Sequence, residues 1–192
     1  MTTDPAEAPL ADRIAACRLC ADGFAASPTA HAPRPVVWFR PGARILIAGQ
    51  APGARVHASG RPFNDPSGDR LRAWTGLDAD TFYDRDRVAL VPMAFCYPGT
   101  AARGGDLPPP PACAANWRAA VLQQIGTPRL VLALGAAAIG WHIGPVPVAR
   151  AVADWRDHLA RGIFPLPHPS WRNTAWIAAN PWFTDQTLPA LR

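Results

Sequence analysis

The chain has 192 residues, 49% of them apolar and 17% charged, and a net charge of +5 in which every one of the 19 basic residues is arginine. An apolar content near one half excludes a disordered chain, and no stretch approaches the roughly 20 consecutive apolar residues of a membrane helix. The polar opening Met-Thr-Thr-Asp-Pro-Ala-Glu has no basic start followed by an apolar run, so no secretory signal is read and a cytoplasmic protein with no membrane partner is expected.

Residues 1–9 read as a flexible tail and residues 10–192 as a single domain, expected to be monomeric. A short helix is predicted over Leu10–Cys20, then a Pro-rich loop over Ser27–Pro41. Arg44–Ala48 is an apolar run stopped by Gly49, the pattern of a strand buried on both faces. Ser67–Trp74 reads as a helix with Ser67 as candidate cap and Asp69 in its first turn. Strands follow at Arg87–Val91 and Arg129–Leu134, separated by a proline-rich excursion, Pro98–Pro111, that excludes regular structure. Helices are expected over Ala112–Ile125 and from Gly135 to Trp141, a last strand at Ile163–Leu166, a loop at His168–Asn173 and a helix over Trp176–Asn180. Strands alternating with helices predict an α/β fold, a three-layer α/β/α sandwich on a short, mainly parallel sheet. Ligands of such sheets bind at loops leaving the strand C-terminal ends. Gly49-Gln-Ala-Pro-Gly53 and Pro167-His-Pro-Ser-Trp-Arg-Asn173 have that position.

The only four cysteines form two pairs, Cys17 with Cys20 and Cys96 with Cys113. A close pair plus a distant, wider pair is how thiolates from remote segments converge on a metal or cluster. Disulfides and unpaired buried cysteines are the competing readings, and a cytoplasmic setting weighs against disulfides. The arginine-only positive charge suits a polyanion such as DNA; GC-rich codon usage accounts for the missing lysine but leaves the net charge.

Three segments carry side chains with chemical use. Gly49–Gly53 places a proline between permissive glycines and can present backbone N–H groups, though alone it is an ordinary turn. Phe63, Asn64 and Asp65 put a ring, an amide and a carboxylate in succession, which is either a pocket for a flat base or a turn with Asp65 as a local acceptor. His168 with Ser170, Trp171 and Arg172 joins an imidazole to an indole and a guanidinium able to wedge into a base stack, or is a structural histidine beside a surface patch.

In order and spacing, the cysteine pairs, the GQAPG loop, the GRPF segment, the VLALG strand and the HPSWRN loop resemble the uracil-DNA glycosylase superfamily, in particular its iron–sulfur branches, families 4 and 5, over residues 10–183. The resemblance implies a [4Fe–4S] cluster on Cys17, Cys20, Cys96 and Cys113, with zinc as the alternative. It implies that Gly49, Gln50 and Ala51 line the flipped base and the attacking water, that Phe63 stacks on the base and that His168 faces its carbonyl. The loop Ser170, Trp171 and Arg172 would then enter DNA as a wedge. The implied activity is removal of uracil from DNA by hydrolysis of its N-glycosidic bond, leaving an abasic site for repair, with single- or double-stranded DNA as partner.

Departures from the family pattern are specific. Gln50 stands where family 4 has glutamate, and glutamine orients water without taking its proton. The sole glutamate, Glu7, lies in the tail. Asn-Asp-Pro-Ser-Gly-Asp is similar to a family 5 segment in which an acid outside the first loop is thought to serve, so Asp65 is the expected carboxylate and Asp69 the runner-up. Pro92 replaces an asparagine that reads the base in family 4, leaving Asn64 or main-chain groups for that task. Gly53 replaces a tyrosine that excludes the thymine methyl in the uracil-selective branch. A relative that binds nucleic acid without catalysis, and a glycosylase for another deaminated base, are the alternative functions.

Overall fold

The computed structural model describes residues 8–192; the tail expected over residues 1–9, and Glu7 with it, lies outside the described residues except for Ala8 and Pro9. Four strands form one parallel sheet: β1 (Ile45–Ala48), β2 (Val88–Leu90), β3 (Leu130–Leu134) and β4 (Ile163–Leu166), in the order β2-β1-β3-β4. β1 is paired with β2 on one side and β3 on the other, Ile45 lying opposite both Val88 and Leu130. The chain thus leaves β1 in one direction and returns on its other side, the topological switch at which open α/β sheets bind ligands.

Side chains alternate between two cores, as a period of two requires. Ile47, Val88, Leu90, Leu132, Leu134, Phe164 and Leu166 face one side, against Leu71, Trp74, Phe82, Trp155 and Phe183. Leu46, Ala89 and Val91 face the other, against Ile14, Val121 and Ile125, and Ala48 and Ala133 pack there on Ala138 and Ile139. Helices on both faces explain the uninterrupted apolar strands and give the three layers expected. The edge of β2 is covered by an antiparallel contact with Trp38, whose carbonyl accepts from Leu90 N–H at 2.8 Å.

Each strand lies within a residue of its predicted limits; the helices differ more. The helix predicted over Leu10–Cys20 is two helices, α1 (Leu10–Ala15) and α2 (Ala21–Ala25). Cys17 N–H bonds back to Ile14 O, and the Arg18 guanidinium donates to the carbonyls of Ala15 and Cys17, ending α1 where its last carbonyls need partners. Two short helices, α3 (Ala54–Ser59) and α5 (Ala79–Tyr83), flank α4 (Pro66–Thr75). Ser67 does not cap α4; Asp65 does, its Oδ1 accepting from Gly68 N–H at 2.9 Å, with Pro66 as first helical residue. α6 (Pro111–Ile125) and α7 (Gly135–His142) fall where expected, whereas α8 (Val148–Ala153) and α9 (Trp155–Leu159) occupy a stretch with no predicted element. After β4 a 3₁₀ turn (Trp171–Asn173) leads into α10 (Thr174–Ala179), then a π-helical turn (Phe183–Thr187) and α11 (Leu188–Leu191). No helix among the described residues is long and apolar enough to cross a membrane.

Candidate active site

A cleft of about 720 Å³ opens at the C-terminal end of the sheet. It is walled by the loop leaving β1 (Gly49, Gln50, Ala51), by Phe63 and Asp65 ahead of α4, and by the loop leaving β4 (His168, Ser170, Trp171, Arg172). Three segments far apart in sequence therefore converge, and of the residues expected there only Asn64 and Asp69 do not line the cleft. Asn64 is exposed to solvent. Asp69 is also exposed, its carboxylate paired with Arg72 at 2.5 Å on the surface of α4.

The loop after β1 is held by pairing that continues past the strand end. Val91, Met93 and Ala94 donate their N–H groups to the carbonyls of Ile47, Gly49 and Gln50, at 2.9, 2.9 and 3.1 Å. Behind them Arg118 of α6, only 2% exposed, donates to the carbonyls of Val91 and Pro92, both at 3.3 Å. Among the described residues no carboxylate pairs with it; its other hydrogen-bond partner there is His142 Nε2 at 2.5 Å. Burial pulls the Arg118 pKa down to about 10, and burial together with the Arg118 charge pulls His142 down to about 4. A neutral imidazole accepting from an arginine is the consistent state.

Phe63 is the strained element of the cleft, with φ of +53°. Its carbonyl accepts from Tyr83 Oη at 3.1 Å and from Arg72 Nη1 at 3.4 Å, and its ring meets Phe82 edge-on at 5.9 Å. Gly68 makes the conformation possible, because a Cβ there would lie 1.8 Å from the Phe63 carbonyl oxygen. Across the cleft, a Cβ on Gly49 would lie 3.5 Å from Cζ of the ring. Phe63 thus forms a fixed apolar wall facing backbone.

His168 follows β4, against Gly135 at the start of α7, where a Cβ would fall 3.4 Å from the histidine Cβ. Its Nδ1 accepts from Ser170 N–H at 3.3 Å, and its carbonyl accepts from Asn173 Nδ2 at 2.6 Å. With Nδ1 an acceptor, the proton of the neutral ring sits on Nε2 and makes it a donor. Burial lowers the His168 pKa, and the nearby Asp65 charge raises it less. Arg70 of α4 fastens the loop by donating to Ser170 O at 2.9 Å. Beyond that point Trp171 projects, 75% exposed, with the Arg172 guanidinium 5.6 Å from its ring.

Sequence reasoning missed Asp106, which lines the same cleft. It sits in the proline-rich excursion, where Ala101 N–H bonds to Gly105 O and Leu107 N–H to Gly99 O, both at 2.8 Å. That small loop folds back toward the sheet and brings the carboxylate to Gly53, whose Cβ would meet Oδ2 at 3.4 Å. Arg172 rests against the same loop, since a Cβ on Gly105 would lie 2.6 Å from its Nη1. The Gly-Gly-Asp run at 104–106 was the only signal in sequence, and it reads as a turn.

No disulfide joins the four cysteines, which line one small pocket with Leu19, Phe24, Pro33 and Trp117. Cys113 lies in the first turn of α6, and its Sγ accepts from Phe95 N–H at 3.4 Å. Burial pushes the Cys96 thiol up to about 12, with Cys113, Cys17 and Cys20 each adding to the rise. Among the described residues no three His, Cys, Asp or Glu side chains are grouped as a single metal ion would require. The model of the Uracil DNA glycosylase superfamily matches residues 37–192, which takes in every residue lining the cleft but Val36 and leaves Cys17 and Cys20 outside.

Proposed function

The chain belongs to the uracil DNA glycosylase superfamily, and from that premise we propose that it flips uracil out of DNA and hydrolyses its N-glycosidic bond, leaving an abasic site. The observation that carries this reading is the convergence of the Gln50 loop, Phe63, Asp65 and His168 on one cleft beside an exposed Trp171.

Breaking the bond leaves an oxocarbenium-like sugar and a base anion, so each must meet a preorganised partner. His168, neutral and with Nε2–H as donor, supplies a hydrogen bond to the base carbonyl as negative charge gathers there. Phe63 gives the flat base an apolar face. Asp65 has one oxygen tied to Gly68 N–H and so presents the other in a fixed direction, toward the cationic sugar and its water. Gln50 orients that water without deprotonating it. Trp171 and Arg172 fill the gap left by the base, and Arg55 and Arg70 along the cleft suit the phosphate backbone.

A [4Fe–4S] cluster on Cys17, Cys20, Cys96 and Cys113 is part of the same proposal. Four thiols around one pocket, with an N–H donor already directed at one sulfur, form the donor set such a group needs. Zinc fits less well: one ion at about 2.3 Å from each sulfur would draw all four together, whereas four irons take one thiolate each and leave them apart. Bound, the cluster would be a structural brace for the N-terminal segment and the proline-rich excursion.

The test is a uracil-containing oligonucleotide incubated with the chain and treated with alkali. Strand cleavage at uracil is the expected result, and parallel substrates bearing hypoxanthine, xanthine and mismatched thymine define specificity. Tight binding without cleavage of any of them would refute the enzymatic reading and leave a DNA-binding relative.

A further inference from the structure

We propose that Asp106 is a second catalytic carboxylate of this cleft, taking the proton of the attacking water while Asp65 faces the cationic sugar. This rests on the glycosylase reading above and assigns the proton transfer that the reading leaves without an acceptor.

The candidate carboxylates differ in what each has free. Asp65 is the N-cap of α4 and has one oxygen committed to Gly68 N–H. Asp69 is outside the cleft and paired with Arg72. Asp106 lines the cleft, and among the described residues neither a hydrogen bond nor an ion pair engages its carboxylate. Position also favours it. Gly53 closes the GQAPG loop, and Oδ2 of Asp106 lies against it, 3.4 Å from where a Cβ on Gly53 would stand. A carboxylate from another segment thereby stands beside a loop that carries no acid of its own.

The charged groups around Asp106 come from each neighbouring segment. Arg172 faces it from the loop after β4 and Asp65 from the start of α4, while Arg55 of α3, Arg70 of α4 and His168 line the same cleft. Asp106 is exposed where it lines the cleft, yet enough protein surrounds it for burial to push its pKa up. The Asp65 charge adds to that rise and Arg172 opposes it. A base moved toward neutrality from the carboxylate range is the better proton acceptor.

The step balances without a further reactant. The water oxygen bonds to C1′ as the C1′–N bond breaks, and the electron pair of that bond leaves with the base. One water proton passes to an Asp106 oxygen, and the base anion accepts the His168 Nε2–H hydrogen bond before taking a proton from solvent.

The experiment is the pH profile of single-turnover uracil excision for wild type, Asp106→Asn and Arg172→Gln, with DNA binding measured alongside. Asp106→Asn is expected to slow excision by about 10²–10³-fold with binding retained, and to flatten the acid limb of the profile. Arg172→Gln removes the opposing charge and should move that limb to higher pH, whatever its effect on the absolute rate. Wild-type excision by Asp106→Asn, or a slower variant with the limb intact, overturns the assignment and leaves the glycosylase reading standing. A wild-type chain that releases no base overturns both.

Discussion

Asp65→Asn and Asp65→Ala, compared side by side, separate the two roles of one carboxylate. Its Oδ1 caps α4 through Gly68 N–H at 2.9 Å, and the residue lines the cleft. Asparagine caps a helix about as well as aspartate, so Asp65→Asn should stay within a few tenths of a kcal/mol of wild type. Alanine loses the cap, at about 1 kcal/mol, or about 2–4 °C in melting temperature for a domain of this size. Catalysis should respond differently. In the asparagine variant the amide oxygen must keep the Gly68 bond, which turns the NH₂ group toward the cationic sugar. Loss of a preorganised charge of this kind costs about 10²–10³-fold in rate. Both variants should therefore excise uracil slowly, and only Asp65→Ala should melt early. Without the Asp65 charge, the His168 titration followed by NMR should also move further below its ordinary value, since that charge raises it. Asp65→Asn excising at the wild-type rate, or melting as early as Asp65→Ala, would refute the reasoning.

Gly68→Ala brings a methyl group to 1.8 Å from the Phe63 carbonyl; an overpacking cost of about 1–3 kcal/mol and a loss of excision comparable to Phe63→Ala are expected in melting and single-turnover assays. His142 has a folded pKa of about 4 against 6.5, so below pH 6.5 the unfolded chain takes up a proton that the folded chain does not. Stability should fall as pH drops from about 6.5, by about 2 kcal/mol at pH 5, and level off below the folded value. Denaturant titrations across that range should show the slope, and His142→Gln should remove its share. Serine at Cys96 or Cys113 should abolish the broad visible absorbance expected of a cluster and lower the melting temperature before it lowers the rate per folded molecule. A colourless variant that melts and excises as wild type would remove the structural role.

The strands were legible because burial on both faces leaves an apolar run with few readings, as in Ile45–Ala48 and Leu130–Leu134. The short helices α3, α8 and α9 were not, since five or six residues span too few turns to show a periodic face. Asp65 was legible as a residue of interest but not as the cap of α4, because Ser67 competes for that place in sequence and Pro66 settles it in space. Most of the cleft could be anticipated from motif order. Asp106 could not, because its position depends on how the Gly99–Leu107 loop folds back on itself, and spacing within a proline-rich run does not encode that.

The five residues Val91–Phe95 carry a shared constraint. Successive amides of this segment are committed to opposite neighbours: those of Met93 and Ala94 to the loop of Gln50, that of Phe95 to the sulfur of Cys113. Its first carbonyls are taken by Arg118, from the same helix that carries Cys113. The thiol pocket and the cleft thus share a single party wall, and a change that suits one tenant is felt by the other. A substitution at any of the four cysteines that shifts this segment would therefore disturb the masonry behind Gln50 as well.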